Sequence, residues 1–191
     1  IEGKGFLEGN ERYTVRGNAP DMIAHAIHSN KRNISLACIG PLTNVATAFM
    51  RYPGLPSMIS RIYIMGNAAA NSRRLFLNYR AHNFKADPEA ADIVFAAETP
   101  KTLVTTEVSK RSSVTYEDLN ALPELYRSRV MEAARHWGAI NKYGCFYLYD
   151  PLTVAHHNNR SVTRRQAYGN TEVTVDVDPS FTKKFLEAAR R

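Results

Sequence analysis

Cysteine is scarce in this chain of 191 residues: Cys38 and Cys145 are its two, and their separation matches neither a metal-ligand pair nor a disulfide framework, so both are expected as free thiols. Long apolar runs are also lacking. Nothing approaches the roughly 20 residues a helix needs to cross a bilayer, and the N-terminus has no basic-then-apolar signal layout. These absences argue against a membrane partner and make the cytoplasm the default compartment. Gly/Ser-rich linkers, repeats and low-complexity tracts are missing as well, which leaves one plausible boundary: a polar, Gly-rich lead over residues 1–18, then a domain over 19–191. Acid is in deficit, with 18 Asp+Glu against 25 Lys+Arg and a net charge of +7. The excess is spread over pairs such as Lys31-Arg32, Arg73-Arg74, Arg164-Arg165 and Lys183-Lys184 rather than gathered in a stripe. That spread describes a solvated surface and gives no footing for nucleic acid.

What is present suits a folded core, with 44% hydrophobic and 23% charged residues. Ile34 to Cys38 is a short apolar run that Gly40-Pro41 breaks, and Leu42 to Phe49 then has helical apolar spacing. Arg61 to Met65, closed by Gly66, and Leu103 to Thr106 repeat the strand pattern, each followed by polar loop and helix-like sequence. The alternation predicts an α/β fold, a Rossmann-like and mostly parallel sheet flanked by helices, with ligands at the carboxyl ends of the strands.

Further elements follow from caps and periodicity. Pro20 to Ser29 reads as a helix, and Asp87-Pro88 as the N-cap and first residue of another over Glu89 to Ala97. Tyr116 to Ala121 and Glu124 to Asn141 are helical by pattern, the latter carrying Leu125, Val130, Ala133 and Trp137. Asp150-Pro151 repeats the cap logic before Leu152 to His156. Val162 to Tyr168 and Thr171 to Asp176 make a hairpin around Gly169-Asn170, and Pro179 to Arg190 a closing helix. Between them, Asn78 to Ala90 reads NYRAHNFKADPEA and gathers an amide, an imidazole and two carboxylates around the junction before a helix. Such a junction suits a sugar-binding rim.

The segments IGPLTNVATAF, RIYIMGNA, HNFKADPEAADIVF, LVTTEVS and YDPLTVA, in that order, resemble the C-terminal two thirds of the inosine-uridine preferring nucleoside hydrolases. EVTVDVDPSFTKKFLEAA resembles the family's closing strand and helix, and the likeness runs from about Ala19 to the C-terminus. The resemblance implies a nucleoside hydrolase-like fold, an N-ribohydrolase that splits purine and/or pyrimidine ribonucleosides into ribose and free base, a Ca2+ cofactor, and a homo-oligomer, dimer or tetramer. It also implies that an N-terminal part is missing. Family members open with a DxDxxxDD loop that supplies most calcium ligands and the catalytic base, and no such cluster occurs here. The missing part would carry the centre of the sheet too, so the chain is a fragment or a truncated relative.

Cleaving an N-glycosidic bond passes through an oxocarbenium-like state, so the ribose must be held by its hydroxyls while a water is deprotonated. Calcium accepts several oxygens and could hold that water together with ribose hydroxyls. By resemblance Asp150 is a calcium ligand that also touches ribose, against the plain reading of an N-cap. The carbonyl of Ile39 corresponds to a backbone calcium ligand. Asn83 corresponds to a ribose-binding asparagine, against a loop-stabilising role. His82 would sit beside the sugar or be a half-buried loop histidine, and Tyr149 would lie near the leaving base or simply pack. Two departures stand out. Ala81 occupies the position of a sugar-gripping glutamate, and a Gly-Asn loop is replaced by NAAANSRRLFLN, where Leu75 falls at the asparagine spacing and Asn67, Asn71 and Asn78 are substitutes. His156-His157, adjacent on a helix, point in different directions and cannot share a metal. Two functions stay open: a hydrolase completed by a missing segment or partner chain, or a catalytically degenerate relative that binds a nucleoside-like ligand or another subunit.

Overall fold

In a computed structural model of the chain, residues 18–31, 33–70, 74–120, 122–141 and 144–190 are described. The polar lead, apart from Asn18, lies outside them, as does Asn71. The first helix, α1 (Ala19–Ser29), starts where the Asn18 side chain accepts from the Asp21 amide at 3.1 Å and Pro20 fills the first turn, where a missing N–H costs nothing. Strand β1 (Ser35–Cys38) leads through the Gly40-Pro41 break into α2 (Thr43–Arg51). A 3-10 turn at Leu55–Met58 precedes β2 (Arg61–Gly66). A small hairpin, β3 (Ala68–Ala70) and β4 (Leu75–Leu77), follows, and then two helices meet at Asp87: α3 (His82–Ala86) and α4 (Pro88–Ala96). Asp87 caps α4 by accepting from the Ala90 amide at 3.0 Å, as its place before Pro88 predicts.

Strand β5 (Lys101–Thr105) begins two residues before the expected run and ends one before it. Thr106 belongs instead to a single turn, α5 (Thr106–Ser109), because the Thr105 hydroxyl accepts from the Val108 amide and starts a helix there. Lys101 is what hid the true start. Its side chain is fully buried and donates to the carbonyls of Ala97 and Thr99, serving the trailing end of α4. Burial pushes this lysine's pKa down to about 8.

A short ladder of β6 (Ser113–Val114) with β7 (Phe146–Tyr147) brackets α6 (Tyr116–Asn120) and α7 (Glu124–Asn141). Leu125, one of the apolar residues named on this helix, is 88% exposed. It lies about 140° around the helix from Val130 at 100° per residue, whereas Val130, Met131 and Ala134 pack inward. The chain closes with α8 (Tyr149–Asn158), the hairpin β8 (Thr163–Tyr168) and β9 (Thr171–Val177), and α9 (Phe181–Ala189). Gly169 takes φ 58° in the hairpin turn, the left-handed region that glycine enters freely.

The main sheet has the order β1-β2-β5-β9-β8, with β1, β2, β5 and β9 parallel and β8 antiparallel on β9. Successive strand residues face opposite layers. Ile62, Ile64 and Leu103 join Ile27, Phe49, Phe84 and Val94 under α1 to α4, while Val104 joins Leu152, Val177, Phe181 and Leu186 on the other side. Cys38 is buried with a thiol pushed up to about 12 by burial, and both cysteines are free. Among the described residues no helix is long and apolar enough to cross a membrane.

Candidate functional site

Because β1, β2 and β5 run parallel in register, Cys38 beside Ile64 and Gly66 beside Thr105, their carboxyl ends form one rim. Parallel α/β sheets hold ligands at this edge. Ile39 follows β1 there and is 43% exposed. Asn83 reaches the same place from α3. Its Nδ2 donates to the Ile39 carbonyl at 3.3 Å and to the Met65 carbonyl at 3.1 Å, and the residue is buried. Two of the residues singled out from the sequence are thus hydrogen-bonded to each other.

The sequence that positions Asn83 is short and specific. Asn78 turns the chain by accepting from the Arg80 amide at 3.0 Å, while its own amide donates to the Asn67 carbonyl at 3.0 Å and ties the loop to the end of β2. Ala81 then opens α3 with no side-chain cap. Phe84, next to Asn83, is fully buried, and its ring occupies the space that a side chain at residue 66 would need. A Cβ on Gly66 would stand 2.3 Å from Phe84 Cζ. The absence of a side chain at Gly66 is therefore what lets α3 sit against β2.

His82 opens α3 and is exposed, not half-buried in a loop. The expected rim is a helical turn rather than irregular chain, because Lys85 N bonds back to the Ala81 carbonyl at 2.8 Å. Asp150 is not an N-cap. Helix α8 starts two residues earlier, with Leu148 in the cap position, since the Leu148 amide is fixed on the Ser112 carbonyl at 2.9 Å and its side chain is buried in the second core cluster. Asp150 stands in the first turn, half-buried, where a negative charge is favoured by the helix dipole. Tyr149 beside it is half-buried and packs on Tyr147 with ring centroids 5.6 Å apart. Further along α8, His156 is buried and His157 exposed, and both rings meet Tyr63.

Asn67, of the three substitute asparagines, is buried and already engaged: its Oδ1 accepts from the Ala68 amide and its Nδ2 donates to Glu107, each at 2.9 Å. Glu107 and Thr106, whose hydroxyl donates to the Gly66 carbonyl at 3.2 Å, were passed over in the sequence. The rule that strand ends hold ligands, applied to LVTTEVS as it was to the other two strands, would have reached them.

Calcium takes roughly six to eight oxygens, and the Ile39 carbonyl with the Asp150 carboxylate falls well short of that. Among the described residues no group of three His, Cys, Asp or Glu side chains could hold a metal ion. These residues alone do not fit a calcium site.

A parallel sheet with a buried amide held on two main-chain carbonyls at its carboxyl edge is the α/β architecture that places a polar ligand at its rim. The chain belongs to the inosine-uridine preferring nucleoside hydrolase family, whose model matches residues 2–184. It is 31% identical over 150 residues to the pyrimidine-specific ribonucleoside hydrolase RihA of Shewanella sp. (strain MR-7), covering 72% of this chain and 45% of that protein. It is 30% identical over 131 residues to the non-specific ribonucleoside hydrolase RihC of Salmonella paratyphi B, covering 69% of this chain and 42% of that one. The chain thus spans less than half the length of these curated relatives. A plant nucleoside hydrolase structure shares the fold, with a TM-score of 0.80 at 21% identity over 98% of this chain and 71% of the other.

Proposed function

We propose that the chain carries the sugar-holding side of a nucleoside N-ribohydrolase site, which converts purine and/or pyrimidine ribonucleosides to ribose and free base. The observation that supports this best is the Asn83 amide bonded to the carbonyls of Ile39 and Met65 at the ligand edge of the sheet. Both donors of the amide face protein, so its oxygen is the atom available to a ribose hydroxyl. Asp150 supplies negative charge where the sugar ring becomes cationic. His82 and Tyr149 flank the sugar and the leaving base. The base that activates water comes from outside the described residues. Calcium belongs to this reading only with oxygens additional to Ile39 and Asp150, and would there hold water and ribose hydroxyls. The setting is the cytoplasm and the assembly a homo-oligomer.

Titration of the 191-residue chain with uridine and inosine tests the reading. Binding is expected, weakened about tenfold by Asn83→Ala, the size of one lost hydrogen bond, with negligible release of base by this chain alone. Failure of both nucleosides to bind would remove the proposal. A ribonucleoside-binding relative without turnover is the second reading, and Ala81, which brings no carboxylate to the start of α3, favours it. Binding without base release, even after a segment bearing the aspartate-rich loop is supplied, would decide for it.

A further inference from the structure

Glu107 differs from several other described acids in what it binds. Asp21, Glu172, Asp176 and Asp178 pair with arginine or lysine, and Asp87 caps a helix. Glu107 is exposed, and among the described residues its one hydrogen-bonding partner is Asn67. Among the described residues no ion pair involves this carboxylate, in a chain of net charge +7.

It has also been fixed in place. Val108 and Ser109, which follow it, are buried, Ser109 Oγ donates to the Thr105 carbonyl at 2.9 Å, and Thr106 Oγ1 holds the Gly66 carbonyl. Asn67, itself 8% exposed, pins one oxygen of the carboxylate and is in turn held by the Ala68 amide. The second oxygen has no partner among the described residues. The end of β2 is consequently flanked by two oriented acceptors. Asn83 contacts the Met65 carbonyl, Glu107 contacts Asn67 two residues on, and the donors of both amides point into protein. Two acceptors side by side suit a ligand rich in O–H groups and without negative charge, which describes an unphosphorylated sugar.

We infer that Glu107, oriented by Asn67, accepts a hydrogen bond from one hydroxyl of the bound ribose and so helps select nucleosides. The inference rests on the ribonucleoside reading above. Its test is a binding series with uridine and its 2'-, 3'- and 5'-deoxy forms on the 191-residue chain and on Glu107→Gln and Glu107→Asp. In the parent chain, removal of one particular hydroxyl is expected to weaken binding about tenfold, as for a hydrogen bond to a charged acceptor. In Glu107→Gln, uridine should bind about tenfold more weakly, and the penalty for that one hydroxyl should vanish while the other two persist. Glu107→Asp should restore part of it. General damage to the fold would weaken all four ligands together and leave every penalty in place. If all three deoxy penalties survive in Glu107→Gln, the inference is wrong and the ribonucleoside reading stands. If the parent chain binds no ribonucleoside, both fall.

Discussion

Asn83 is buried with both amide hydrogens on main-chain oxygens, so its contribution to stability and the binding role proposed for it reside in different atoms of one side chain. Asn83→Asp separates them. It places a carboxylate against two carbonyls, and urea unfolding should show a loss of about 2 kcal/mol, the cost of leaving buried acceptors unpaired. His156 offers a second single-residue experiment. Its Nδ1 lies 2.8 Å from Thr163 Oγ1, and its Nε2 is buried without a partner among the described residues. Burial, with Arg165 and Arg160 adding to it, lowers its pKa to about 4 from the ordinary 6.5. The unfolded chain then binds the proton more readily than the folded one. The stability contributed by neutral His156 is complete above about pH 6.5 and is lost as pH falls toward 4, on the order of 3 kcal/mol over the window. A His156→Phe variant should flatten that part of the stability profile. A parent chain equally stable at pH 7 and pH 4.5 would contradict the assignment. At this scale much was legible: Ile39 and Asn83 were both named from sequence, and they are in contact. Glu107 was not, because an exposed glutamate in a polar turn looks like surface until the buried Asn67 behind it is seen.

Helix α3 is held by a shape match rather than by a cap. The Phe84 ring fills the room left by a residue with no side chain. Gly66→Ala should therefore cost about 1–3 kcal/mol, the usual penalty for overpacking, and should weaken nucleoside binding because Asn83 is displaced with its neighbour. Phe84→Leu also costs stability, yet it frees space at residue 66. Combined, the two changes should destabilise by clearly less than their sum, and additive losses in urea unfolding would show that the ring and the glycine do not interact. Element boundaries carried this kind of error in the sequence. The pattern around Asp87 predicted its helix correctly, since cap and proline are local signals. Asp150-Pro151 gave the same local signal and misled, because the Leu148 amide is spent on Ser112, far away in the chain. Lys101 hid the start of β5 for a similar reason: a buried lysine is legible only once its two carbonyl partners are known.

For the whole molecule, the end of the sheet opposite the rim is charged. Glu172 on β9 lies 3.1 Å from Arg61, 2.5 Å from Arg160 and 3.8 Å from Arg165. Arg61 also donates to Thr102 Oγ1 at 3.2 Å, linking β2, β5 and β9 side by side. Glu172→Gln leaves three guanidinium groups facing one another and should lower stability by about 2 kcal/mol, more at low salt than at high. A loss independent of salt would argue that the pairing is not electrostatic. Alternation of strand and helix made the parallel order of β1, β2 and β5 readable, whereas the placement of β9 beside β5 depends on long-range pairing that no local signal encodes.

The two faces of the sheet are packed as separate clusters, with Leu103 in one and Val104 in the other. Asn83 belongs to α3 on the first layer and Asp150 to α8 on the second, so a molecule held by both, as proposed, would be a crossbeam between the two layers. Loading it should slow amide hydrogen exchange in α4 and α8 together, far from any atom it touches, and raise the melting temperature in proportion to RT ln(1 + [L]/Kd).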